Sequence, residues 1–95
     1  MKYNLILTFD AQLEEMDAYN YYENIRPGLG EDLLTEFKKS YDKIAENPFY
    51  YSYLQSSKIL RVIRVATFPY IIIYLVSGNN LTILSVRNTH RQPFI

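Results

Sequence analysis

The stretch FPYIIIYLV, residues 68–76, is apolar on both sides of an extended chain: Phe68, Tyr70, Ile72 and Tyr74 on one, Ile71, Ile73 and Leu75 on the other. A strand of this kind belongs at the centre of a sheet with both faces covered. At nine residues it is about half of what a membrane span needs, so it predicts a buried strand and no membrane partner.

The rest of the chain is arranged to serve that strand. KYNLILTF (2–9) alternates Tyr3, Leu5, Leu7 and Phe9 with Lys2, Asn4, Ile6 and Thr8, the pattern of a first strand. Asp10 is the expected N-cap of a helix through AQLEEMDAYNYYENI, with Ala11, Ala18, Tyr22 and Ile25 on one face. RPGLG (26–30) ends it. This segment lacks the spacing and lysine of a phosphate-binding loop and reads as a turn. A second helix over 31–46 aligns Leu34, Phe37, Tyr41 and Ile44, and Asn47-Pro48 stops it. An aromatic loop with Tyr50, Tyr51 and Tyr53 leads to three strand-like runs, 58–66, 68–76 and 81–87, the last two joined by a hairpin at SGNN. The expected fold is α+β over one domain, residues 1–95: a small antiparallel sheet, β-αα-βββ, with an N-terminal strand and a helical hairpin on one face. The other face must be covered by the chain's own ends or by a partner.

The ninety-five residues carry no net charge, but the two halves differ. Residues 1–48 hold all ten acids and five bases; residues 49–95 hold no acid and five bases, Lys58, Arg61, Arg64, Arg87 and Arg91. Such a division can steer an anionic partner to one surface. With no cysteine and one histidine, thiol chemistry and zinc-thiolate sites are excluded, no metal or cofactor is expected, and a reducing cytoplasm suits the chain.

Arg61 and Arg64, three residues apart in a strand, point to opposite faces. Each either contacts an acidic partner or a phosphate, or pairs with a helix carboxylate such as Glu14 or Glu36. Arg87, His90 and Arg91 gather near the C-terminus. A histidine as general acid–base beside phosphate-clamping arginines is one reading, but no carboxylate stands nearby in sequence to orient His90. Tyrosines beside arginines, Tyr70 and Tyr74 among them, suit base stacking or a protein interface.

In order and spacing, AYNYYENIRPGLGEDLLTEF, ENPFYY, LRVIRVATFPYIIIYLV and ILSVRNTHRQP resemble the RelE/ParE superfamily of type II toxins, nearest the ParE-like, plasmid-stabilisation branch. The resemblance spans nearly the whole chain. It implies a helical hairpin on a small sheet, a cognate antitoxin as partner, and one of two targets: DNA gyrase for ParE-like members, or mRNA cut in the ribosome for RelE-like members. No sequence-specific DNA binding by this chain is implied. Two positions depart from the family pattern: Ile71 follows Tyr70 where mRNA-cleaving members typically carry arginine, and Asn88 stands where many members carry histidine, which is displaced here to His90. A missing cation where phosphate charge develops costs about 2–4 kcal/mol of transition-state stabilisation, by analogy with other oxyanion donors. The expectation is therefore a non-enzymatic, ParE-like toxin with Arg61, Arg64, Tyr70, Tyr74, Arg87, Asn88, His90 and Arg91 contacting the target or antitoxin. In the RelE-like alternative, Arg61, Arg64, His90 and Arg91 are the catalytic candidates. A third reading is an inactive member serving as a protein-binding module.

Overall fold

The structure, a computed structural model, describes residues 3–90. Among these the chain forms β1 (Asn4–Leu7), α1 (Phe9–Ile25), α2 (Leu29–Glu46), β2 (Arg61–Arg64), β3 (Tyr70–Ser77) and β4 (Asn80–Asn88). The strands form one sheet in the order β1-β4-β3-β2, and the two helices pack on one of its faces as a hairpin. The α+β class and the β-αα-βββ order are those the sequence predicts.

One pairing departs from the expected antiparallel sheet. β1 runs parallel to β4, with Leu5 beside Leu81 and Leu7 beside Ile83, so the sheet is mixed. The β3–β4 hairpin fixes β4's direction, and β1 enters beside it at the far edge. The β3–β4 pairing is antiparallel and closes on the two-residue turn Gly78-Asn79, where Gly78 takes a left-handed φ of 59°.

The first helix starts two residues earlier than the sequence predicts. Thr8, not Asp10, is its N-cap: the Thr8 hydroxyl accepts from the Ala11 N–H at 3.1 Å. Thr8 has the extended backbone a cap requires, and Asp10 falls inside the first turn, where its carboxylate meets the positive end of the helix dipole. Phe9 thus begins a helix instead of ending a strand, and it is exposed. Ile25 is exposed too, although Ala11 and Ala18 on the same predicted face are buried.

The turn between the helices is held by α1. The α2 N-cap is Gly28, which has no side chain to offer and sits at φ 92°. The Glu23 carboxylate takes that role, accepting from the Gly28 N–H at 3.0 Å and the Gly30 N–H at 2.9 Å. Gly30 lies so close to α1 that a Cβ there would stand 2.7 Å from the Tyr19 ring and 2.9 Å from the Glu23 carboxylate. Gly30→Ala is accordingly expected to cost about 1–3 kcal/mol by overpacking, read as a lower urea midpoint with an unchanged slope.

The core lies between the hairpin and the sheet. Leu33, Phe37, Tyr41 and Ile44 of α2 and Ala11 and Ala18 of α1 meet Ile63, Tyr70, Ile72, Tyr74, Leu81, Ile83 and Val86. Leu34, predicted to face inward, is only half-buried, and Leu33 takes the inner position. On the opposite sheet face, Ile71 and Ile73 are each 5% exposed. The segment running back to β2 closes on this face: Leu54 and Leu60 line a cleft with Ile73, and Ser52 lines another with Ile71. An internal loop thus gives part of the cover.

Candidate functional site

The face of the sheet away from the helices carries a short row of cations. Arg64 of β2 pairs with Ile71 of β3, which pairs with Arg87 of β4, so the three side chains share one rung. At strand spacing the two arginine Cα atoms stand roughly 10 Å apart across Ile71. Arg64 is exposed and makes no hydrogen bond or ion pair with other described residues. Two clefts flank the row, of about 470 Å³ beside Arg64 and Ile71 and about 340 Å³ beside Ile73 and Arg87.

Arg87 is held in place. Its Nε donates to the Ser85 Oγ at 3.1 Å, and that hydroxyl donates to the Glu14 carboxylate at 2.9 Å. The same Glu14 oxygen accepts from the Val86 N–H at 2.7 Å. β1 ends at Leu7, which leaves the β1-facing edge of β4 without a strand beyond Ile83, and Glu14 of α1 occupies that edge. The sequence offers Glu14 only as a partner for Arg61 or Arg64 and does not mark Ser85, because the acid and the strand it serves are about seventy residues apart. Neither Glu14 nor Glu36 pairs with Arg61 or Arg64; Glu36 instead pairs with Lys39 at 3.3 Å.

Arg61 points the other way, as the sequence spacing predicts, and is taken up by the aromatic loop. One Nη donates to the Phe49 carbonyl at 3.2 Å and the Tyr51 carbonyl at 2.7 Å. Its guanidinium carbon lies 4.1 Å from the centre of the Tyr53 ring and 5.4 Å from that of Phe49. The arginine therefore clips residues 49–53 to the edge of β2, where Tyr53 also bridges to Arg61 through the backbone.

Three other marked residues sit inside the fold. Tyr74 is 0% exposed, and its hydroxyl donates to the Pro48 carbonyl at 2.7 Å, tying the end of α2 to the sheet. Tyr70 is buried edge-on to Phe37, and Asn88 is buried with its side-chain oxygen accepting from the His90 N–H at 2.8 Å. The reason is the two-residue period: Tyr70 and Tyr74 share the helix-facing side with Ile72, and pairing puts Asn88 opposite Tyr70. Arg64 and Arg87 thus come together, His90 is exposed beyond the end of β4, and Arg91 lies outside the described residues.

Burial pushes the Tyr74 phenol up from 10.0 to about 12, with Arg61 opposing the shift and Tyr51 adding to it. Tyr41 is also raised, first by burial and then by its hydrogen bond to Glu15. A pKa raised by folding stabilises the folded state below the unfolded value and loses that contribution as the pH climbs through the folded one. Stability is therefore expected to fall between about pH 10 and pH 12. Tyr74→Phe, which also strands the Pro48 carbonyl, is expected to be less stable than the parent by about 1–3 kcal/mol at neutral pH. The two urea midpoints should converge in the alkaline range.

Among the described residues no group of three or more histidine, cysteine, aspartate or glutamate side chains is placed to hold a metal ion. No described helix is long and apolar enough to cross a membrane.

Solved structures with the same arrangement exist. A chain of a chromosomal ParDE TA system from P. aeruginosa superposes with a TM-score of 0.80 at 13% identity, over 92% of this chain and 96% of that one. This chain has the RelE/ParE fold. The isolated E. coli RelE toxin superposes at 0.72 with 19% identity, over 96% of this chain and 88% of that one. An archaeal RelE–RelB complex from Pyrococcus horikoshii gives 0.51 at 17% identity, over 97% and 100%. No protein-family model and no curated protein sequence matches the chain. Within the RelE/ParE fold, the Arg64–Ile71–Arg87 row lies on the sheet face that the helical hairpin leaves open.

Proposed function

We propose that the chain is the toxin of a type II toxin–antitoxin system, that it acts as ParE-like toxins do by binding DNA gyrase, and that a cognate antitoxin silences it. The observation that carries the reading is the Arg64–Ile71–Arg87 row: two arginines on either side of an apolar residue, one free and one braced. Ile71 itself is buried, so what the row offers a partner is the pair of arginines, a residue type enriched at protein interfaces. The central position of the row, where an mRNA-cleaving member would place a third cation, is isoleucine. The same row favours the RelE-like reading in one respect, since two arginines with His90 beyond the end of β4 could grip an RNA backbone.

Controlled expression without an antitoxin tests both. Growth arrest with gyrase-linked DNA breaks, an induced DNA-damage response and intact mRNA is the expected result. Growth arrest with mRNA cut at the ribosomal A site and no DNA breaks would establish the RelE-like reading instead. Unimpeded growth would leave only the inactive binding module.

A further inference from the structure

The first helix has a second apolar face that the fold does not use. Phe9, Leu13 and Met16 recur at i, i+4 and i+7, and at 100° per residue they lie on the side opposite buried Ala11 and Ala18. They are 72%, 44% and 60% exposed. Isolated exposed apolar residues are ordinary, but three on successive turns form a continuous stripe. Beside Met16 the stripe opens into a groove of about 390 Å³ between the helices, with Leu34 in its floor and Glu15 and Glu31 in its lining.

Charge says what fits there. From Phe9 to Ile25, α1 carries five carboxylates and no lysine or arginine. The second helix differs: its five acids share the helix with three lysines, two of which form ion pairs, Lys38 with Asp42 and Lys39 with Glu36. A second copy of the chain docking through the stripe would set one helix with acids and no cations against another, with Asp10 and Asp17 making no side-chain hydrogen bond or ion pair with other described residues, which opposes association. A helix with apolar residues at the same spacing and lysines or arginines along its flanks meets both the stripe and its acidic border.

We infer that the outer face of α1, with the groove toward α2, is the docking site for a basic amphipathic helix of a partner protein. This rests on the reading that the chain is governed by protein partners, and it places one such contact on the helices, away from the arginine row.

The test uses the full chain and two synthetic helical peptides with the same leucine face, one flanked by lysines and one by glutamates. Calorimetry is expected to show binding of the lysine-flanked peptide that weakens in high salt. Leu13→Ser with Met16→Ser should reduce its affinity by roughly tenfold or more. Both positions are exposed, so thermal unfolding of the double variant should match the parent. No binding of the lysine-flanked peptide, equal binding of both peptides, or affinity that ignores the substitutions would each overturn the inference. Sedimentation showing that the unliganded chain self-associates through these residues would overturn it in favour of a second copy. Growth arrest on expression reads the toxin proposal separately, so either idea can fail without the other.

Discussion

If the chain is the proposed toxin, cells expressing the parent chain stop growing, and cells expressing the Arg64→Ala, Arg87→Ala chain are expected to keep growing. Arg64 is exposed and spends no hydrogen bond or ion pair on other described residues, so its removal costs the fold little. Arg87 spends its Nε on Ser85, and Glu14 still has Ser85 and the Val86 N–H to bind when the guanidinium is gone. The loss falls on whatever the row contacts. Truncating one partner of an interfacial charge pair costs about 2–5 kcal/mol, which is roughly thirtyfold or more in affinity for each arginine. Growth curves at matched protein levels, with thermal unfolding of the purified variant as a control, read the result. A variant that folds normally and still arrests growth would remove the row from the mechanism. Lysine at both positions separates charge from geometry: a requirement for paired, planar donors predicts that the lysine variant is also impaired.

Phe37→Ala is expected to produce the largest loss of stability. Phe37 is 1% exposed and stands edge-on to Tyr70, with ring centres 5.4 Å apart and planes at 72°. It is where α2 meets the central strand, and neighbouring Tyr70 also contacts Tyr22 of α1. Truncating a buried phenylalanine costs about 3–5 kcal/mol through lost burial and the cavity left behind. A domain of this size has about 5–10 kcal/mol to lose. Urea denaturation should show the midpoint falling by a third or more. A loss near 1 kcal/mol would mean that the hairpin does not rest on this contact.

Element type and order were legible because they are local. The central strand declares itself by seven apolar side chains in alternation, the hairpin by Ser-Gly-Asn-Asn, and the second helix by Phe37, Tyr41 and Ile44 at helical spacing. The placement of Arg61 and Arg64 on opposite faces was legible too, since a strand's period is fixed. Less legible was whether a tyrosine faces a partner or the core. Tyr70 and Tyr74 carry polar groups that suit an interface, yet Tyr74 buries its hydroxyl against Pro48, a partner twenty-six residues away. Asn88 went inward for a related reason: its register opposite Tyr70 placed it there. The cap of α1 moved from Asp10 to Thr8 because both residue types can cap, and the choice depends on where β1 lets the chain turn.

Sequence by itself determined the α+β order, the centrality of the strand within residues 68–76 and the confinement of every acid to residues 1–48, since each follows from residue type and short-range spacing. Only the tertiary structure decided the parallel placement of β1, the Glu14–Ser85–Arg87 chain, the diversion of Arg61 to the aromatic loop and the Arg64–Ile71–Arg87 row. These join residues far apart in the chain. A side chain's chemistry lists the partners it can accept, but the register of the sheet chooses among them.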